Sequence, residues 1–127
     1  MRPSTSTSPS PGIVLFAHGS RDPQWRTPIE AVAAQIRARQ PGTAVRCAYL
    51  ELCAPSLFEA ATDLIATGAC QIRVFPIFFG VGKHAREDLP LLIEEIRSAH
   101  PDVAVELLPA AGEYAQLTAL MADIALS

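Results

Sequence analysis

The chain has 127 residues, half of them hydrophobic, which is enough to bury one core and too little for two comfortable domains. Ten Lys and Arg against 13 Asp and Glu leave a net charge of -3, so no global basic field exists to attract nucleic acid or an anionic membrane. The three cysteines, Cys47, Cys53 and Cys70, match neither a zinc spacing nor a Cys-x-x-Cys pair, and read as reduced, mostly buried thiols of a cytoplasmic protein.

Residues 1–11 are rich in Ser, Thr and Pro with no apolar run. They read as a disordered N-terminal tail, neither a signal peptide nor a membrane span. Residues 12–127 read as a single α/β domain. Ile13 to Ala17 is a continuous apolar run that suits a strand buried on both faces. It stops at the polar loop His18-Gly19-Ser20-Arg21-Asp22-Pro23. Thr27-Pro28-Ile29-Glu30 has the form of a capping box, with a helix to about Gln40 burying Ile29, Val32, Ala33 and Ile36.

Pro41-Gly42 closes that helix, and Thr43 to Leu50 mixes β-branched and aromatic residues as a second strand, ending at Glu51. Pro55 opens a helix that buries Leu57, Ala61, Leu64 and Ile65, with Gly68 just past its end. A third strand, Gln71 to Phe79, runs into Gly80, Gly82, Lys83 and His84. The two glycines allow a close approach of backbone to ligand, because glycine tolerates positive φ and carries no side chain. Asp88 then caps a third helix with Pro90 in its first turn and Leu91, Leu92, Ile96 and Ala99 inward. Val103 to Leu108 and Tyr114 to Ala125 complete the pattern as strand and helix.

The order βαβαβαβα implies a four-stranded parallel sheet with right-handed crossovers and helices on both faces. For such a sheet the common strand order is 2-1-3-4, and ligands bind outside the C-terminal strand ends where the order reverses. His18, His84 and Glu51 occupy those ends. Two neutral imidazoles and a carboxylate leave open positions on a metal, unlike a closed structural site. Glu51 fits either a third ligand or a base, and either role competes with simple exposure to solvent. Arg21, Lys83 and Arg86 flank the histidines and can receive carboxylates of a substrate. Asp22 and Asp88 precede helix starts and read as caps. Gly82-Lys83 is not a phosphate-binding loop, since Ile77 and His84 stand where that motif needs Gly and Ser or Thr. A serine hydrolase lacks its Gly-x-Ser-x-Gly elbow here.

HGSRDP at 18–23, YLELCAPSL at 49–57 and PIFFGVGKHAREDLP at 76–90 resemble the class II chelatases of tetrapyrrole biosynthesis, and among them the short form of the sirohydrochlorin cobaltochelatases. The resemblance implies a flavodoxin-like, chelatase-like fold for residues 12–127. It also implies that His18 and His84 are the metal-binding histidines, and it maps an acidic residue of the family onto Glu51. The implied activity is insertion of a divalent metal, Co2+ first and Fe2+ or Ni2+ next, into sirohydrochlorin for cobalamin or sirohaem-type biosynthesis. The metal is then substrate, and no tightly bound cofactor is expected. The implied assembly is a homodimer enclosing the tetrapyrrole. Arg21, Gly80, Gly82, Lys83 and Arg86 are the expected substrate-binding residues, and Phe78, Phe79 and Val81 are placed to meet the ring face or the core. A non-catalytic metal or tetrapyrrole carrier of the same fold is the alternative.

Overall fold

The computed structural model of the chain describes residues 11–127, except the side chain of His84. The expected tail, residues 1–11, lies outside the described residues but for its last one. Four parallel strands, β1 (Gly12–Ala17), β2 (Val45–Tyr49), β3 (Gln71–Pro76) and β4 (Ala104–Leu107), form one sheet in the order β2-β1-β3-β4. The expected 2-1-3-4 order is therefore present. The helices are α1 (Thr27–Arg39), α2 (Leu57–Ala66), α3 (Lys83–Ala99) and α4 (Ala115–Leu126).

Strand β1 explains the layering. Its side chains alternate across the sheet, so a strand buried on both faces must be apolar throughout. Val14 and Phe16 join one core with α2 and α3, through Leu57, Ala61, Leu64, Leu89 and Ile96. Leu15 and Ala17 join the other with Ile29 and Ala33 of α1, Val45 and Tyr49. The two faces are not equally covered. The first is roofed across its width, whereas α1 covers only β1 and β2 on the second, and α4 has no buried residue and packs against the short 3-10 turn Ala111–Glu113. Arg73 and Glu106 pair at 3.0 Å on the side of β3 and β4 that is left open.

The helix starts differ from the sequence reading in instructive ways. Asp22 does cap, accepting from Gln24 N at 2.9 Å with Pro23 next, but the turn it starts is a 3-10 turn, Pro23–Arg26, that runs straight into α1. Thr27 consequently has helical dihedrals, φ -53° and ψ -47°, and cannot act as a cap. The capping box lies instead at α2. Ser56 accepts from Glu59 N at 3.1 Å and Ser56 N donates to Glu59 at 2.8 Å, so Pro55 precedes the cap and is not the first helical residue. At the other end Gly68, φ +110°, donates to Ile65 O and Ala69 N to Leu64 O, a Schellman closure.

Helix α3 begins at Lys83, with Gly82 as its cap residue, so Asp88 is a mid-helix residue and Pro90 lies in the interior. Ala85 and Leu89, spaced i to i+4, are both buried and anchor the first turns in the core. That anchoring outweighs the preference of proline for a first turn. The buried stripe is Ala85, Leu89, Ile93 and Ile96, with Leu92 half-buried, while Leu91 is 69% exposed and Ala99 is also exposed. Val32 is likewise more exposed than expected. Among the thiols, Cys47 and Cys53 are half-buried and Cys70 is exposed; all three are free.

Ser56→Ala should cost about 1 kcal/mol, seen as a lower urea midpoint at unchanged slope. Thr27→Ala, which removes no capping bond, should stay within about 0.5 kcal/mol.

Candidate functional site

The ladder between β1 and β2 continues past both strands: Leu50 N donates to Ala17 O at 2.9 Å and Glu51 N to His18 O at 3.0 Å. His18 and Glu51 are thereby held side by side at the rim, both exposed. On the opposite flank of β1, Ile77 N donates to Phe16 O at 2.7 Å, which carries β3 alongside and sets Phe78 beneath His18. The two rings lie 4.3 Å apart between centroids at a 36° tilt. Phe78 itself is 3% exposed, whereas Phe79 is 67% exposed. Of the two phenylalanines, then, Phe78 is core and a platform for an imidazole, and Phe79 faces outward.

From Phe78 the chain crosses residues 79–82 and enters α3, where His84 is the second helical residue. The first helical residues have amide N–H groups without intrahelical partners, so the positive end of α3 points to this rim. Lys83, Arg86 and Arg21 are exposed, and none of them forms an ion pair among the described residues. Gly80 and Gly82 do not use positive φ, contrary to the sequence reading; Gly82 has φ -64°. Each has open space where a Cβ would point, so the freedom there faces outward from the protein. Among the described residues no three His, Cys, Asp or Glu side chains form a metal-binding group.

Gly19 is the glycine that the rim requires. Its φ is +103°, and a Cβ there would overlap the carbonyl oxygen of Glu51. The neighbouring Leu52 also has positive φ, 71°, in the turn that follows Glu51. Gly112 is comparable: a Cβ would overlap the backbone of Phe79, and Gly112 N donates to Phe78 O at 2.9 Å. The sequence reading singled out neither, although a glycine directly after a buried strand and its histidine is the local signal for such a contact.

A cleft of about 630 Å3 adjoins the rim on the side of β3 and β4, with Phe79, Gly80, Val81, Arg86, Leu108 and Glu113 among its walls. His18 and Glu51 do not line it. The rim and the cleft are therefore neighbours that share the loop after β3.

Behind the rim, Tyr49 was not anticipated as special. It is 3% exposed and its hydroxyl has no hydrogen-bond partner of good geometry among the described residues; the Cys47 thiol beside it interacts with it only weakly, as sulfur does. Burial, with smaller contributions from Cys47, Glu30 and Cys53, pushes its phenol up to about 12. Burial also raises the Cys47 thiol.

Similar folds are known. A CbiX protein from Marinobacter aquaeolei VT8 superposes with TM-score 0.79 at 30% identity, covering 91% of this chain and 94% of that one. The sirohydrochlorin chelatase SirB from Bacillus subtilis subspecies spizizenii, solved with cobalt, superposes at 0.72 over 90% of this chain and 50% of its own, at 24% identity, a likeness of fold alone. The architecture is that of the flavodoxin-like chelatases. The CbiX family profile matches residues 12–125, and the chain belongs to that family. Curated relatives include the sirohydrochlorin cobaltochelatases of Methanococcoides burtonii, 31% identical over 83 residues, and Saccharolobus solfataricus, 35% identical over 82. These matches cover 65% of this chain and 63% and 62% of the relatives, so the chain spans less than two thirds of their length.

Gly19→Ala should destabilise by roughly 1–3 kcal/mol from backbone strain alone, with the clash against Glu51 added. Gly68→Ala, equally left-handed but in open space, should cost less in the same urea titration. For Tyr49 the sign is fixed by the shift. An unfolded phenol loses its proton near pH 10 and the folded one near 12. The unfolded state therefore binds fewer protons in between, and stability falls as pH rises through that window. Tyr49→Phe should abolish this share of the alkaline loss, checked by melting temperature from about pH 8 to 11.

Proposed function

We propose that the chain inserts a divalent metal ion, Co2+ first, into sirohydrochlorin, as the names of its curated relatives indicate for those proteins. One observation carries the reading: His18 and Glu51 are locked together at the C-terminal end of β1, while the next strand over leads into the helix that bears His84. That is where a parallel sheet of this order takes its ligand.

In this mechanism His18 and His84 hold the ion through neutral imidazole and leave other positions free for exchange. The ring nitrogens replace water first and the histidines last. Two pyrrole N–H bonds break as two metal–nitrogen bonds form, and each proton passes to a base; Glu51, whose backbone is bonded to that of His18, serves as that base or else as a third ligand of the incoming ion. Arg21, Lys83 and Arg86 receive carboxylates of the macrocycle, helped by the positive end of α3. Gly80 and Gly82 leave space for its flat face, and Phe79 offers apolar contact. The metal is substrate throughout, with no resident cofactor. Iron and nickel are the other candidate ions, because affinity order alone does not select cobalt. We further propose that two chains close around the macrocycle, without nucleic acid or membrane. Free thiols suit a reducing cytoplasm.

The test is to mix purified protein with sirohydrochlorin and Co2+ and follow the absorbance change of metal insertion. A rate above the uncatalysed background is expected; binding without acceleration would overturn the enzyme and leave a carrier. His84→Ala should lower Co2+ affinity at unchanged urea stability. Unchanged affinity with reduced stability would instead make His84 a structural residue.

A further inference from the structure

Phe78 occupies an unusual place for a core residue. It is 3% exposed, yet its ring lies against that of His18, a residue open to solvent, with 4.3 Å between centroids and a 36° tilt. A separation this short at that tilt sets the rings more face to face than edge to face. Phe78 is itself braced from two sides. Phe16 meets it edge-on at 5.8 Å, and its carbonyl accepts from Gly112 N at 2.9 Å. The turn Ala111–Glu113 comes so close there that a Cβ on Gly112 would overlap the backbone of Phe79. Phe78 also belongs to the same buried cluster as Ala85, the residue after His84. One braced ring thus supports the strand end that bears His18 and shares a core with the helix that bears His84.

We infer that Phe78 is a positioning residue of the metal site, raising the affinity of His18 for the incoming ion in addition to what its burial contributes to folding. Two effects act together. A ring held against one face of the imidazole removes rotamers that His18 would otherwise sample at an exposed strand end, so less order has to be gained when the ion binds. The second effect grows with loading. The face of an aromatic ring is electron-rich, and it attracts a neighbour more strongly once that neighbour carries positive charge. An imidazole that gives its lone pair to a divalent ion becomes such a neighbour, whereas an empty neutral one does not. Phe78 therefore favours the loaded state over the empty one. The core demands only apolar bulk at this position; the contact with His18 demands a ring.

This inference rests on the reading of His18 as a ligand, and the experiment separates the two. The measurement is titration of the folded protein with Co2+, followed by the visible absorption of the bound ion, with urea midpoints taken for every variant. His18→Ala tests the reading: retained affinity there overturns the ligand role, and the inference with it. With His18 in place, Phe78→Leu should weaken Co2+ binding roughly 3- to 10-fold. Phe78→Tyr, which keeps the ring, should stay within about twofold of the wild type whatever it costs in stability. Phe16→Leu is the control for lost packing, since it removes the other aromatic contact of Phe78; its urea midpoint should fall while its Co2+ affinity holds. Equal losses of affinity in Phe78→Leu and Phe16→Leu, no loss in either, or a tyrosine variant as weak as the leucine one overturns the inference and leaves Phe78 a core residue only. Should Phe78→Leu fail to fold, Phe78→Met, flexible and without a ring, takes its place with the same expected loss.

Discussion

The rim depends on a hydrogen-bond ladder that does not stop where the strands do. Two further backbone bonds, Leu50 to Ala17 and Glu51 to His18, zip the loops after β1 and β2 together. The contact is close enough that only glycine fits at position 19. His18 is then gripped from three directions: by the covalent end of a fully buried strand, by the Glu51 amide and by the Phe78 ring. His18 is thus exposed to solvent while its ring face rests on Phe78.

The other side of the rim has a different physics. The chain after β3 turns through two glycines with open space around them and enters α3 well over a turn earlier than its proline and aspartate suggest. Early entry matters for charge. It brings the unsatisfied amides of α3 and the cations Lys83 and Arg86 to the same rim as His18, in a protein whose net charge is negative. The cleft beside it is lined by Gly80 and Arg86 of the same segment, so the two surfaces adjoin.

The second face of the sheet is half finished. Helix α1 roofs β1 and β2; Phe75 and Ile77 pack at the margin of that core and are only partly buried, and no residue of α4 is buried. An α/β sheet ordinarily buries both faces within the chain; here part of the second face stays exposed among the described residues. The same segment that follows the cleft, through Gly112 packed on Phe79, leads into α4, so the rim and the exposed face are joined by a few residues.

Much was settled by local sequence. The alternation of apolar runs with helical spacing sufficed for βαβαβαβα, and the unbroken apolar run of β1 sufficed for a two-sided core, because burial on both faces leaves no position for a polar residue. The likeness of HGSRDP and GVGKHARED to a known family pointed to His18 and His84. Helix ends were another matter. Thr27, Pro55 and Asp88 each have the chemistry of a helix start, but capping depends on dihedrals, and those were decided by the surroundings of each residue: a 3-10 turn before Thr27, a serine one step after Pro55, and the burial of Ala85 and Leu89 around Asp88. Whether Leu91, Val32 or α4 would be covered was likewise beyond any period, since the pattern marks a face as apolar without saying what lies opposite. Only the tertiary structure decided that Glu51 bonds to His18, that Phe78 lies beneath the imidazole, and that α4 was left in the open, because each depends on which strands become neighbours and how far their pairing runs.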